Sequence, residues 1–236
     1  NFTGMPLTLL PAFAESEVQG ELLGSLAANL DGTGLSGQAD IPLHDVRVGG
    51  LTLGGGRIKA DVTPSAATAN LDFEGVGSRL AAGVNVPLEV RGGLPAFSGQ
   101  APIDVRVSAT HTDAAVLAPL VSEYLSELNG PVDADLQARF EPPVTPEGRW
   151  NAHFDGSAAM TGGEVQLSQL GMALQDVTWT ARAHTEGERT IVELDDGVAR
   201  AHSDHHNVSL RTRLQFTGLE LTSAQAGLRL EEVPLA

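Results

Sequence analysis

The run Val132-Asp133-Ala134-Asp135-Leu136-Gln137-Ala138-Arg139-Phe140-Glu141 alternates apolar and polar residues without a break. In an extended chain successive side chains point to opposite sides. Val132, Ala134, Leu136, Ala138 and Phe140 therefore share one face, and Asp133, Asp135, Gln137, Arg139 and Glu141 share the other. The pattern recurs along the chain. Val208, Leu210, Leu214 and Phe216 alternate with Ser209, Arg211, Arg213 and Gln215. Val84, Val86, Leu88 and Val90 alternate with Asn85, Glu89 and Arg91, and Ile103, Val105 and Val107 with Asp104, Arg106 and Ser108. A protein built of such strands carries one long apolar surface, and its function depends on what that surface covers.

Composition points the same way. Only 4% of the 236 residues are aromatic, whereas Gly (27) and Pro (13) are plentiful. The apolar stock is Leu, Val and Ala, which suits the lining of an extended sheet better than the filling of a globule, where aromatic rings bury the most area each. Thirty acidic against 14 basic side chains give a formal charge of -16, which repels phosphate backbones and excludes nucleic acid as an expected partner. Cysteine is absent, so no disulfide or thiolate metal site is available. No apolar run reaches the roughly 18 residues of a membrane-spanning helix. The chain begins at Asn1 and ends on Pro234-Leu235-Ala236 in a strand-like run, so the expectation is a fragment whose anchor lies outside it.

Turn punctuation falls every eight to twelve residues or so, as expected of an all-β chain of short strands. Asp31-Gly32, Gly49-Gly50, Gly92-Gly93, Gly162-Gly163 and Glu186-Gly187 are examples. One segment has helical spacing: from Asp113 to Leu128, Val116, Leu117, Leu120, Val121, Tyr124, Leu125 and Leu128 recur at intervals of three and four. Asp113 is placed to cap it and Asn129-Gly130 to stop it. A poorer helical candidate is Met5 to Ser16, interrupted by Pro6 and Pro11. These segments open an internal repeat, in which Leu9-Leu10-Pro11-Ala12 and the strand after Gly20 match Leu117-Ala118-Pro119-Leu120 and the strand after Gly130, 110 positions later. The expected organisation is a first unit over 1–110 and a second over 111–236, stacked into an elongated sheet.

Leu117 to Ala138 (L-A-P-L-V-S-E-Y-L-S-E-L-N-G-P-V-D-A-D-L-Q-A) and then Gly156 to Val177 (G-S-A-A-M-T-G-G-E-V-Q-L-S-Q-L-G-M-A-L-Q-D-V) resemble the repeat of the TamB family, the translocation and assembly module proteins of the AsmA-like group. Asp45 to Gly56 resembles a variant of the "LG-x-x-L-x-D-V" block in the first copy. The likeness covers nearly the whole chain, and its weight lies in the order of degenerate motifs. Glu141 to Gly148 departs from the shorter connection of relatives. The resemblance implies an antiparallel sheet curled into a U-shaped apolar trough, the TamB-like β-taco. It implies a place in the periplasm between inner and outer membranes, phospholipid acyl chains as cargo, and a partner barrel of the TamA/BamA outer-membrane assembly type. The residues expected to line the groove are Val84, Val86, Leu88, Val105, Leu136, Phe140, Trp150, Phe154, Leu167, Leu174, Trp179, Val208, Leu210, Leu214 and Phe216.

Other motifs have plainer accounts. Gly32-Thr33-Gly34-Leu35-Ser36-Gly37 matches G-x-G-x-x-G, but the alternating Gln38 to Leu43 with Pro42 follows it, so a hairpin turn explains it better than a dinucleotide site. His202, His205 and His206 with Asp204 form the one cluster resembling a metal site. Adjacent His205 and His206 would point apart on a strand, and a solvated hairpin tip is the better reading. No nucleophile elbow or nucleotide motif is present, so neither an enzyme nor a cofactor is expected. The leading expectation is a non-enzymatic lipid conduit. Its rivals are a non-transporting β-rich scaffold that assists outer-membrane protein assembly through exposed strand edges, and a β-solenoid enzyme, whose regular coils and carboxylate clusters are not seen.

Overall fold

A computed structural model describes residues 2–6, 18–31, 34–48, 51–75, 77–92, 94–117, 125–143, 150–168, 172–218 and 220–231. The strands are β1 (Phe2–Pro6), β2 (Val18–Asp31), β3 (Gly34–Val48), β4 (Leu51–Val62), β5 (Ala66–Gly75), β6 (Ser78–Arg91), β7 (Leu94–Phe97), β8 (Ile103–Asp113), β9 (Leu125–Asn129), β10 (Pro131–Glu141), β11 (Asn151–Leu167), β12 (Met172–Glu186), β13 (Arg189–Arg200), β14 (Val208–Thr217) and β15 (Glu220–Leu230). They hydrogen-bond in the order β1-β2-β3-β4-β5-β6-β8-β10-β11-β12-β13-β14-β15, with β7 on β6 and β9 on β11. The sheet is open and antiparallel, a chain of hairpins that follows sequence order because tight turns join neighbours at little loop cost. Contacts divide the chain into two compact units, Asn1–Ser108 with Gln137–Asn151, and Ala109–Leu136 with Ala152–Ala236.

In the first unit, Leu43 faces Gly56, Ile41 faces Ile58 and Gly56 in turn faces Phe73, so the apolar positions of β3, β4 and β5 meet on one side. Leu43, Val46 and Phe73 are buried there, packed by Ile41, Leu53, Ile58, Leu71 and Leu80. Burying each such side chain is worth about 1.5–3 kcal/mol, more than the ion pairs of the opposite face supply. That opposite face is laced with charge. Arg57 donates from Nε and Nη2 to the two Asp40 carboxylate oxygens at 2.6 and 2.7 Å, Arg79 pairs with Asp72 at 3.0 Å, and Arg139 with Asp104 at 3.3 Å. The Arg57 guanidinium holds the Asp40 carboxyl below its ordinary range.

In the second unit, one cluster gathers Ala114, Val132 and Met160 with Leu128, Ala134, Val177 and Trp179. A second gathers Ala199, Ala201 and Val208 with Met172, Leu174 and Val177. The helix expected over Asp113 to Leu128 is corrected. Ala114–Leu117 is a 3-10 turn, Leu125–Asn129 is strand β9, and the stretch between lies outside the described residues, among which no α-helix occurs. Asp113 does cap the turn, its Oδ1 accepting from the backbone N–H of Ala115 at 3.0 Å. Of the second helical candidate, Met5 and Pro6 belong to β1, and the rest lies outside the described residues.

Two glycines let strands approach closely. Gly130 has φ 126 and a Cβ there would meet the Gly163 Cα at 2.6 Å; Gly156 has φ 143 and a Cβ would overlap the Asp135 carbonyl oxygen. Only glycine fits both requirements.

Candidate functional site: an apolar groove in the second unit

Three segments of the sequence share the pattern Leu-x-Asp followed by a small or branched residue: Leu43-His44-Asp45-Val46, Leu174-Gln175-Asp176-Val177 and Leu194-Asp195-Asp196-Gly197. In each the Asp lies in the left-handed region, with φ 51, 51 and 52. At each the strand supplies one residue more than its partner, since Leu43 and Val46 face Gly56 and Gly54, and Leu194 and Gly197 face Thr212 and Leu210. Gly162, at φ 69, does the same on β11, where Met160 and Gly163 face Trp179 and Val177. These are β-bulges, and a left-handed Asp or Gly is what such a bulge requires. Each bulge shifts the alternation by one, so apolar residues three apart return to the same face.

The consequence in the second unit is an apolar face that continues from strand to strand. Cross-strand partners share a face, and the registers align Leu167 with Met172 and Val165 with Leu174, then Ala199 with Val208, then Val208 with Leu230 and Leu210 with Leu228. A groove of about 290 Å³ runs along it, lined by Leu167, Met172, Leu174, Val177, Thr178, Trp179, Leu194, Gly197, Val198, Ala199, Val208, Leu210, Leu228 and Leu230. Among the described residues no charged side chain lines it, and the one hydroxyl, on Thr178, already accepts from the Gly162 N–H at 3.3 Å. Leu228 remains 58% exposed and Leu210 36%. The opposite face carries Arg211 on Asp196 at 2.7 Å and Arg213 on Glu193 at 2.8 Å.

Of the residues expected to line a groove, Leu167, Leu174, Trp179, Val208 and Leu210 do so. Leu214 and Phe216 continue the same face beyond it, opposite Val192 and Thr190. Phe154 sits where the Thr185 hydroxyl both donates to its carbonyl and accepts from its N–H, at 3.1 and 2.8 Å. Leu136 is exposed on β10. Val84, Val86, Leu88, Val105, Phe140 and Trp150 belong to the first unit. There Val84 and Val86 face Ala69 and Ala67, and Trp150 stacks on Phe97. The groove residues that alternation and resemblance left out are Met172, Thr178, Leu194, Gly197, Val198, Ala199, Leu228 and Leu230. A usable signal existed for the last two in the alternating Ala224 to Leu230, and for the others in the Leu-x-Asp bulges.

The β13–β14 connection, Ala201 to Asn207, joins the groove residues Ala199 and Val208. Asn207 is only 2% exposed. Its side-chain oxygen accepts from the Ala201 N–H at 2.8 Å, and its amide nitrogen donates to the Ala201 carbonyl at 2.9 Å, completing the backbone pairing that the turn interrupts. His202, His205 and His206 sit on this turn, exposed. His206 Nε2 lies 3.0 Å from Asp176 Oδ2, and His205 Nδ1 lies 3.2 Å from the Ser203 hydroxyl. Among the described residues no three His, Asp or Glu side chains converge as metal ligands. Gly34 to Gly37 of the glycine-rich motif lie in β3, whose Gly34 faces Asp31 of β2, and no helix follows them. Comparison with family models, curated proteins and solved structures finds no match to the chain.

Proposed function

We propose that this chain is a lipid-conducting segment of the TamB-like kind, in which acyl chains shelter against the apolar face while headgroups stay in water. In this reading the sheet curls lengthwise into a repeat-built apolar trough. It works in the periplasm between inner and outer membranes, with a barrel of the outer-membrane assembly type as its partner. The observation that carries the proposal is the groove itself: a hydrocarbon lining that runs across five strands, with Leu210 and Leu228 still accessible to a guest. A groove whose described lining carries no charge offers a headgroup little to bind and an acyl chain hydrocarbon contact along its length. Each methylene buried gains about 0.8 kcal/mol wherever it lies, so a chain slides with little net change. Catalysis plays no part in this reading.

The test is native mass spectrometry of the purified chain. Phospholipid should co-purify with the wild type and be lost from Leu210→Arg, whose charged head is costly in the groove unless it snorkels to water. Arg211→Gln on the opposite face should keep it. Lipid retained in full by a folded Leu210→Arg protein, or absent from the wild type, overturns the proposal. A scaffold role is the second reading. It is favoured by β15, which among the described residues pairs with β14 alone and whose residues are almost all exposed, leaving backbone groups for a guest strand.

A further inference from the structure

In the first unit, the hairpin of β6 and β7 carries accessible apolar side chains on both of its faces. Leu88 faces Phe97, Val90 faces Pro95 and Arg91 faces Leu94. Val90 and Phe97 therefore stand on one face and Leu94 on the other. Val90 and Phe97 are each 43% exposed and Leu94 is 58% exposed. A hairpin laid on a core buries its apolar side and shows polar groups to water. This one shows hydrocarbon on both sides of its tip. Trp150 stacks on Phe97 with ring centroids 5.7 Å apart, extending the apolar surface with an amphipathic ring.

Charge sets the segment apart as well. From Val90 to Ile103 there is no acidic residue, in a chain that holds 30. The only charge there is Arg91, and it is paired with Glu89. The tip is thus a net-neutral element on a strongly anionic molecule, apolar but for the Arg91–Glu89 pair that shares the Leu94 face. Exposed apolar surface of this kind marks an interaction site. A docking protein covers one face of a hairpin, whereas a fluid apolar phase covers both at once, and a tip without free charge offers nothing to a charged partner. We infer that the β6–β7 hairpin is a membrane-interface anchor, whose tip enters the headgroup–acyl boundary of a phospholipid bilayer with Leu94, Val90 and Phe97 in hydrocarbon and Trp150 at the interface. The chain as a whole, at -16, is repelled by anionic lipid, so the anchor favours zwitterionic surfaces.

Flotation of the full chain with phosphatidylcholine vesicles tests this. The wild type should float. Leu94→Asp should lower the partition coefficient by about tenfold or more, as expected for loss of one inserted leucine. Leu94→Trp should raise it, and Gln225→Ala, opposite Arg213 on the polar face of the second unit, should leave it unchanged. Adding phosphatidylglycerol should weaken binding at low salt, and added salt should restore it. The inference is overturned if the wild type stays with the soluble fraction, if Leu94→Asp floats as the wild type does, or if sedimentation shows self-association that Leu94→Asp abolishes. It stands apart from the groove: co-purified lipid with no flotation removes the anchor alone, and flotation with an empty groove removes the conduit alone.

Discussion

Leu174 and Val177, three residues apart on β12, face the same side of the sheet. Leu174 lies opposite Val165 and Val177 opposite Gly163, with Asp176 between them at φ 51. The same arrangement puts Leu43 and Val46 together in the core of the first unit, at 3% and 1% exposure. The left-handed Asp is what turns the strand. A β-branched residue there should be strained by roughly 1–2 kcal/mol, whereas Gly pays no such penalty and Asn pays little. We therefore expect Asp45→Val to lose about 2 kcal/mol in urea denaturation, Asp45→Asn to be near neutral, and Asp45→Gly to match or exceed the wild type. Equal stability of the Val and Gly variants would contradict the bulge account.

Gly156 sits at φ 143 with its Cα against the β10 backbone, where a methyl group would overlap the Asp135 carbonyl and come within 2.8 Å of the Leu136 Cα. Backbone atoms cannot yield as a flexible side chain can. Gly156→Ala should cost roughly 3 kcal/mol from backbone strain and overpacking together, measured by thermal or denaturant unfolding. Gly227→Ala, where the added carbon meets nothing within 4 Å, is the matched control and should change little.

Asp40 is held below its ordinary carboxylate value chiefly by hydrogen bonds from Arg57. A carboxyl whose folded pKa is depressed contributes stability that is present above its unfolded value and lost as pH falls through the folded one. Asp40→Asn should therefore lower stability slightly at neutral pH, and the difference from the wild type should vanish on acidification below 3.8, the ordinary value. The pair is exposed, so the effect is small. Carboxyl titration by NMR should place Asp40 below the ordinary value of 3.8, and Arg57→Gln should bring it back. An Asp40 that titrates normally in the wild type would contradict the pairing.

Strand-rich character was legible in Val132 to Glu141, where alternation runs unbroken and the burial of Val132 beside the exposed Asp133 follows it. Asp113 to Leu128 has the spacing of a helix for an identifiable reason. Leu125 and Leu128 are three apart, a helical spacing, but β9 is bulged, placing them opposite Leu167 and Val165 on one face of a strand. Three-residue spacing is shared by a helix and a bulged strand, and periodicity alone does not separate them. The same device explains the groove. Strict alternation assigns Leu174 and Trp179, or Phe154 and Leu167, to opposite faces, and the left-handed Asp176 and Gly162 bring Leu174 into line with Trp179 and Leu167 with Met160. What the sequence carried was the Leu-x-Asp signature at three places. Its meaning appears only once the extra residue is seen in the pairing.

In the proposed conduit, one face of the second unit meets acyl chains and the other meets water. Leu210 and Arg211 are neighbours on β14 with opposite outlooks, Leu210 on the groove beside Leu228 and Arg211 on Asp196. A photo-activatable residue at each position, irradiated in cells expressing the protein at its native level, reads both faces in one experiment. Phospholipid adducts at position 210 with none at 211 are the predicted result; equal labelling at both, or labelling at 211 alone, would contradict it.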